Sequence, residues 1–196
     1  MKASQPQESV PAMDKPIPCL ISAAKLDERV RELAREISAD FAGQELMVVG
    51  VLHGAFIFMA DLVRHLTIPV RCGFVMVSSY GEDTETSGRV TLRLDLTLPA
   101  KGWHLLLVDD LVDTGVSTGW LLDHLSRKEP ASVRLCVLLN KDARRRVPIR
   151  PDYVGFEIPN RFVVGYGIDC AHAYRELPYV GYIPTDESSP SSQNHG

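Results

Sequence analysis

The sequence has few cysteines, and none of them has the spacing of a zinc site. Its 4 cysteines among 196 residues are widely spread, with no CxxC pair and no histidine cluster nearby. They are Cys19, Cys72, Cys136 and Cys170. We expect them to be buried free thiols in a reducing, cytoplasmic environment.

Long apolar runs and an excess of positive charge are also lacking. Nowhere do about 18 apolar residues follow one another, and the first residues, MKASQPQESVPAMDKPIP, contain no apolar core of a signal peptide. The formal net charge is -4, so the chain as a whole attracts neither nucleic acid nor an anionic membrane. We therefore expect no nucleic-acid or membrane partner, and any phosphate site must be local.

The length allows one domain with a sizeable core, since 45% of the 196 residues are hydrophobic. Residues 1–18 and 185–196 are polar and have little to bury. We expect flexible tails at both ends of a single domain that spans residues 19–184.

Hydrophobic periodicity alternates between strands and helices along this domain. Strands are predicted at 46–52, 70–80, 103–110 and 133–140, and helices at 23–41, 55–66 and 116–128. Apolar strands that alternate with helices indicate an α/β fold with a mainly parallel sheet between helices. Residues 81–102 interrupt the pattern with a polar stretch, which is either a mobile lid or an idle hairpin loop.

The stretch LLLVDDLVDTGVST, residues 105–118, places carboxylates at the end of a buried strand. In an open parallel sheet, ligands bind beyond the carboxyl ends of the strands, where loops lead into helices. Thr114, Gly115 and Ser117 offer hydroxyls and a residue without a Cβ, so backbone amides can surround a phosphate there. The stretch predicts a phosphate-binding loop.

Asp109 and Asp110 would repel a phosphate unless they faced polyol hydroxyls or a divalent cation. A phosphorylated sugar with Mg²⁺ meets both requirements, and Asp113 is placed to accept a proton from a group that reacts at the sugar. Two other interpretations remain open on these residues alone. One is the magnesium site of a receiver domain, and the other is a set of acidic turn residues in solvent.

The segment VDDLVDTGVST resembles the 5-phosphoribosyl-1-pyrophosphate signature of type I phosphoribosyltransferases. Three more stretches are similar to the hypoxanthine-guanine branch of that family. They are VLHGAFIFMADLVR (51–64) for the pyrophosphate loop and its helix, VSSYGEDTETSGR (77–89) for the mobile loop, and residues 141–183 for the purine-binding region. The resemblance implies a twisted sheet, a small hood built from the N- and C-terminal segments, and a lid at 81–89.

The resemblance also implies an activity. Members transfer 5-phosphoribosyl from 5-phosphoribosyl-1-pyrophosphate to N9 of hypoxanthine or guanine, with Mg²⁺, and release IMP or GMP and pyrophosphate. Asp113 matches the residue that handles the proton on purine N7, and Asp109 and Asp110 match the pair at the ribose hydroxyls. The matching 5-phosphate loop consists of Asp113, Thr114, Gly115, Val116 and Ser117.

Other positions match the rest of the family's site. The pyrophosphate contacts correspond to Leu52, His53, Gly54 and Arg175, and the family often has a cis peptide before the second of these residues. By the same resemblance, Lys141 donates to the 6-oxo group, Phe162 stacks on the purine and the Val163 carbonyl accepts from the base edge. Asp169 lies in the purine region and reaches Mg²⁺ through water, with Asp109 and Asp110 as further candidate ligands. Ser79 and Tyr80 form the root of the lid.

The pattern departs from the family at a few positions. His53 replaces the usual lysine or arginine of the pyrophosphate loop, and Asp109 stands where glutamate is more common. A xanthine-preferring relative, or a regulator that senses the sugar pyrophosphate, are the alternatives. Because relatives assemble as dimers or tetramers, the resemblance implies a homodimer or homotetramer.

Overall fold

The computed structural model describes residues 16–79 and 90–184. Its helices are α1 (Ala23–Asp40), α2 (Phe56–His65) and α3 (Val116–Ser126). Its strands are β1 (Cys19–Ile21), β2 (Leu46–Leu52), β3 (Val70–Ser79), β4 (Val90–Leu94), β5 (His104–Val112), β6 (Ser132–Asn140), β7 (Tyr153–Glu157), β8 (Phe162–Val164) and β9 (Val180–Ile183).

The main sheet has six strands in the order β4-β3-β2-β5-β6-β7. All neighbours are parallel except β3 and β4, which pair antiparallel. The central strand β2 is wholly apolar, and β5 has a run of four aliphatic residues before its aspartates, because both faces of these strands are covered. The parallel pairing brings the carboxyl ends of β2, β5 and β6 to the same edge of the sheet.

Helices cover both faces of this sheet. On one face, α1 and α2 bury an apolar stripe that includes Leu33 and Leu62 against Val48 and Val108. On the other face, Leu121 and Leu125 of α3 pack with Val49 and other strand residues. The predicted α/β fold with a mainly parallel sheet between helices is therefore confirmed.

A second, three-stranded sheet has the antiparallel order β1-β9-β8. It joins the first strand of the described chain to the last two, with Cys19 opposite Gly181 and Phe162 opposite Ile183. This is the hood that the family resemblance implies, built from N- and C-terminal segments. The other implied feature, the lid at 81–89, lies outside the described residues, as do Tyr80 and most of both predicted tails.

Three expectations need correction. Strand β5 spans His104–Val112, so it continues two residues beyond the predicted strand at 103–110, which already contained Asp109 and Asp110. Part of the segment predicted as a loop at 81–102 is strand β4, whose residues make ladder hydrogen bonds to β3 despite the polar sequence around them. All four cysteines are free, but only Cys136 is buried. Cys170 is partly buried, and Cys19 and Cys72 are exposed, since Cys19 lies on the hood and Cys72 near the sheet's edge.

None of the helices in the described ranges is long and apolar enough to cross a membrane. The division into one domain with two tails stays a prediction.

Candidate active site

The carboxyl ends of three neighbouring strands carry most of the predicted site residues. Strand β2 ends at Leu52, β5 carries Asp109 and Asp110 near its end, and β6 ends one residue before Lys141. The parallel register places Val112 opposite Asn140, so the loop after β5 starts beside the loop after β6. The structure thus brings the acidic pair, the pyrophosphate loop and Lys141 to one edge.

The acidic pair is held in the interior. Asp109 is only 6% exposed, and its two oxygens accept hydrogen bonds from the Thr118 hydroxyl at 3.0 Å and the Asp110 amide at 3.1 Å. Burial raises the pKa of Asp109 well above its ordinary value, and repulsion from the Asp110 carboxylate raises it further. Burial also raises the pKa of Asp110. One buried and one partly buried carboxylate, side by side and with raised pKa values, favour a ligand that brings hydroxyl donors or a cation.

Thr118 was missed by the sequence analysis. The predicted cradle stopped at Ser117, although Thr118 follows directly and lies in the first turn of α3. Its hydroxyl donates to the buried Asp109 carboxylate, so its role is to orient the acidic pair. Nothing in the sequence pattern separates this threonine from the neighbouring hydroxyl residues.

The loop between β5 and α3 has the geometry of an anion cradle. Gly115 caps the helix with a left-handed backbone, at φ 79°, where a side chain would be strained. A Cβ at Gly115 would also lie only 3.1 Å from Ile149 and 3.2 Å from the Val147 carbonyl. Beyond it begin Val116 and Ser117, whose amides belong to the positive N-terminal end of α3.

The predicted pyrophosphate loop, residues 52–54, lies against the acidic pair with no side chain between them. The peptide bond between Leu52 and His53 is cis, as the resemblance implies, and the His53 side chain is exposed. A Cβ at Gly54 would overlap the Asp110 carboxylate, and a Cβ at Gly167 would overlap the Gly54 carbonyl. Three separate segments therefore pack at this point through glycine and backbone.

Asp169 and Arg175 form a short ion pair beside these glycines. Arg175 Nη2 lies 2.7 Å from Asp169 Oδ1, and Arg175 Nη1 donates to the Gly167 carbonyl at 2.6 Å. The positive charge of Arg175 acts against burial in setting the pKa of Asp110. Asp169 is 28% exposed in its side chain, and its other oxygen accepts from the His172 amide at 2.9 Å.

A cavity of about 910 Å³ opens between the strand ends and the hood. The predicted residues on its wall are Asp113, Lys141, Phe162, Val163 and Asp169. Lys141 is 5% exposed, whereas the Phe162 side chain is 51% exposed towards the empty space. Burial lowers the pKa of Lys141, while the nearby Asp113 carboxylate acts in the opposite direction. A flat apolar ring and a buried ammonium that line the same cavity suit a planar ligand with a carbonyl group.

Asp113 has one oxygen without a protein partner. Its Oδ1 is buried and has no hydrogen-bond donor among the described residues, while Oδ2 lies 3.5 Å from Arg144 Nη1. Buried acceptors are normally satisfied, so an unsatisfied one that lines a cavity is suited to accept from a ligand N–H. The sequence analysis did not include Arg144 in the site.

Within the described residues, the protein alone supplies no complete set of ligands for Mg²⁺. No group of three or more His, Cys, Asp or Glu side chains within residues 16–79 and 90–184 is arranged to hold a metal. Mg²⁺ is usually held by one or two carboxylates, with water and substrate phosphates as its other ligands. Asp169 and the acidic pair offer such carboxylates, so the residues fit this mode of binding.

Of the two predicted lid residues, Ser79 alone belongs to the described part of the chain. Ser79 is the last residue of β3, at the same edge of the sheet as the site, and Tyr80 lies outside the described residues.

Comparison with known proteins identifies relatives over most of the chain. The phosphoribosyl transferase domain family matches residues 22–170. The hypoxanthine-guanine phosphoribosyltransferase of Mycobacterium avium is 42% identical over 186 residues, covering 92% of this chain and 91% of that protein. The bifunctional protein TilS/HprT of Listeria innocua is 44% identical over 164 residues but only 25% of its length is covered, so the chain spans about a quarter of that relative.

Solved structures give the same result. A hypoxanthine-guanine phosphoribosyltransferase of Bacillus anthracis superposes with a TM-score of 0.82 at 44% identity, covering 86% of this chain and 100% of that one. A hypoxanthine phosphoribosyltransferase of Staphylococcus aureus superposes with a TM-score of 0.82 at 32% identity, covering 88% and 94%. The chain belongs to the type I phosphoribosyltransferase family, in its hypoxanthine-guanine branch.

Proposed function

We propose that the protein transfers 5-phosphoribosyl from 5-phosphoribosyl-1-pyrophosphate to N9 of hypoxanthine or guanine, and releases pyrophosphate. The observation that carries this proposal is the composition of the 910 Å³ cavity. It combines the unsatisfied oxygen of Asp113, the buried ammonium of Lys141 and the exposed ring of Phe162. These three groups match the proton on N7, the 6-oxo group and the flat face of one 6-oxopurine.

The base would be selected at its edge. Lys141 has only donors, so it favours the 6-oxo group and disfavours the 6-amino group of adenine. Phe162 would stack on the ring, and the Val163 carbonyl would accept from the exocyclic or ring N–H on the far edge. Asp113 Oδ1 would accept the N7 proton as the new bond forms at N9.

The donor would bind along the strand ends. Its 5-phosphate would lie on the amides and hydroxyls of residues 114–117 at the start of α3. The ribose hydroxyls would donate to Asp109 and Asp110, and the pyrophosphate would contact Leu52–Gly54 and Arg175. The guanidinium of Arg175 suits phosphate oxygens, because it can donate two parallel hydrogen bonds.

Mg²⁺ is part of the proposal. Asp169 would hold it through water, and Asp109 and Asp110 are further candidate ligands. Once bound, the ion would offset the negative charge of the leaving pyrophosphate. In this arrangement Asp169 Oδ1, which now pairs with Arg175, would either interact with both Arg175 and the hydrated ion or leave Arg175.

The lid would exclude water from the reacting centre. We propose that Ser79 and Tyr80 close over a transition state that water could otherwise trap, wasting the donor by hydrolysis. The expected cytoplasmic location and the homodimer or homotetramer also stay proposals, to be tested by cell fractionation and light scattering.

The direct test mixes purified protein with Mg²⁺ and 5-phosphoribosyl-1-pyrophosphate and adds hypoxanthine, guanine, xanthine or adenine separately. We expect nucleotide formation with hypoxanthine or guanine, its loss with EDTA, and none with adenine. Asp113→Asn should fold and bind but lose turnover by roughly 10²–10⁴-fold, since it cannot take the N7 proton. Conversion of xanthine alone would favour the xanthine-preferring alternative, and binding of the donor without any conversion would favour a regulator.

A further inference from the structure

The guanidinium of Arg145 joins the loop after β5 to the loop after β6. Its Nε donates to the Asp113 carbonyl at 3.1 Å, and its Nη2 donates to the Lys141 carbonyl at 3.0 Å. Nη2 also donates to the Asn140 side-chain oxygen at 2.6 Å, and Nη1 donates to the Ile149 carbonyl at 2.8 Å. One rigid fork therefore binds the backbone of both residues whose side chains face the edge of the base.

Arg145 differs in this respect from the arginines on either side of it. Its side chain is only 14% exposed, whereas the Arg144 side chain is 59% exposed and Arg146 is also an exposed residue. The sequence RRR gives no sign of this difference, and the three residues form the densest part of the chain's one basic cluster. Arg145 is turned inwards and makes contacts within the chain.

The network extends behind Arg145 to a strand at the edge of the main sheet. Asn140 is 5% exposed, and its Nδ2 donates to both carboxylate oxygens of Glu157 at 3.0 Å. Asn140 thereby presents its oxygen to Arg145. The Asp142 carboxylate, whose Oδ1 lies 3.2 Å from Arg145 Nη2, offsets the positive charge directly, and the Glu157 carboxylate polarises the hydrogen bonds of Asn140.

The same segment also supports the phosphate loop from outside. The amides of Arg146 and Val147 donate to the Thr114 carbonyl at 2.9 and 3.2 Å. A Cβ at Gly115 would lie 3.2 Å from the aliphatic Cδ of Arg145, so this side chain fills the space beside the glycine. Displacement of Arg145 would therefore shift the main chain on both sides of Asp113.

We infer that Arg145 is a positioning residue, which fixes the separation between the Asp113 carboxylate and the Lys141 ammonium across the base-binding cavity. The inference rests on the proposed function, because it concerns the same site. The fork contacts the two main-chain carbonyls directly, and neither contact requires Arg145 to touch a ligand. A base with both a 6-oxo group and an N7 proton would then be recognised by two groups held at one spacing.

Arg145→Lys is the informative substitution. It keeps the charge but replaces the planar fork by a single ammonium, which cannot bond all four acceptors at once. We expect the turnover number with hypoxanthine to fall about tenfold or more, since small misplacement of reacting groups is costly. We also expect the Michaelis constant for the base to rise, while that for 5-phosphoribosyl-1-pyrophosphate changes less.

A second readout separates positioning from a merely structural role. The dissociation constants of IMP and of purine riboside 5′-monophosphate, which lacks the 6-oxo group, are measured by titration calorimetry for each protein. In the unchanged protein the loss of the 6-oxo group should weaken binding, and in Arg145→Lys that penalty should shrink. A merely structural role would lower the melting temperature and leave the ratio of the two constants unchanged.

The matched control is Arg146→Lys, the same substitution at the neighbouring exposed arginine, and it should leave kinetics and both dissociation constants unaltered.

If Arg145→Lys does not fold, Glu157→Gln tests the network from its far end, because it keeps Arg145 and weakens its support. A smaller change in the same direction is expected. Unaltered kinetics and an unaltered ratio in the folded variant would overturn the inference alone. Lack of turnover in the unchanged protein would overturn the proposed function together with it.

Discussion

Gly54 faces the carboxylate of Asp110 so closely that a Cβ at position 54 would overlap both carboxylate oxygens. Gly54 follows β2 and Asp110 lies near the end of β5, and the two strands are parallel neighbours. The proposed pyrophosphate and ribose sites are therefore in direct contact at this point, with no side chain of residue 54 between them. This relationship explains why the position after His53 has no side chain.

Gly54→Ala should weaken donor binding, because the added methyl group must displace the Asp110 carboxylate. We expect the affinity for 5-phosphoribosyl-1-pyrophosphate to fall at least about tenfold, because the free energy of one displaced polar contact is of that size. The measurement is a titration of the donor followed by calorimetry. Gly102→Ala is a suitable control, since Gly102 has φ 78° but open space around it. It should lower stability by about 1 kcal/mol without changing donor affinity.

Asp109→Asn should stabilise the ligand-free protein increasingly as the pH rises. Burial raises the pKa of Asp109 in the folded state, so the folded protein keeps a proton that the unfolded chain releases. The unchanged protein therefore loses stability as the pH rises from about 4, the ordinary aspartate range, through the raised value. Asparagine does not titrate and still accepts from Thr118.

The measurement is the melting temperature of both proteins between about pH 4, near the ordinary aspartate pKa, and about pH 9. The advantage of the asparagine variant should grow across this range, while its affinity for 5-phosphoribosyl-1-pyrophosphate should be lower throughout. A constant or shrinking difference would contradict a raised pKa at this position.

Asp95 links the end of β4 to α3. Its carboxylate accepts from Lys128 Nζ at 2.8 Å and the Leu96 amide at 2.7 Å, and it lies 2.9 Å from His124 Nε2. Burial opposes ionisation here, but these hydrogen bonds outweigh it and hold the pKa of Asp95 below its ordinary value. The contact therefore stabilises the fold above the ordinary aspartate pKa, and this stabilisation is lost as the pH falls through the lowered value.

Asp95→Asn should cost about 0.5–1 kcal/mol near neutral pH, a modest value because the Asp95 side chain is 41% exposed. The difference between the two proteins should shrink as the pH falls through the lowered pKa of Asp95, because protonation removes these contacts. Urea unfolding at several pH values measures it. Asp123→Asn, on the same helix, serves as a comparison for the loss of one negative charge.

The turn at Ala171 and His172 is strained. Both residues have positive φ, 48° and 65°, between the mutually hydrogen-bonded Cys170 and Ala173. Asparagine tolerates this conformation better than alanine, so Ala171→Asn should stabilise the protein by about 0.5 kcal/mol. His172→Val should destabilise it, because a branched side chain fits this region poorly. Thermal melting of the two variants should show shifts of opposite sign.

The fold was largely predictable because long apolar strands and an amphipathic helix carry their own periodicity. Strand β2 was predicted with both of its bounds, since LMVVGVL is wholly apolar and is followed by a glycine turn. Strand β4 was missed although apolar and polar residues alternate along VTLRL, because the polar stretch before it was extended to residue 102. It is a short edge strand that pairs only with β3 among the described strands.

The site was predictable where chemistry depends on residue type. The aspartates of 109–113 and the following glycine stand out in the sequence, because carboxylates at the end of a buried strand are unusual. Thr118 and Arg145 do not stand out, since the bond from Thr118 to Asp109 and the bonds from Arg145 to the Asp113 and Lys141 carbonyls exist only in the folded chain. Without the family resemblance, Phe162 would have been assigned to the core, whereas half of its surface is exposed in the cavity.

The hood sheet pairs the beginning of the described chain with its end, with Cys19 opposite Gly181. During synthesis, β1 leaves the ribosome long before its partner β9 exists, so this sheet closes after the parallel sheet has its strands. Phe162 and Tyr182, on the hood side of the cavity, belong to β8 and β9. A nascent chain that ends before β9 would thus hold the strands of the proposed sugar-phosphate site but would lack one strand of the hood beside the proposed purine site. On the proposed function, competence to bind a base is acquired only after β9 has been made.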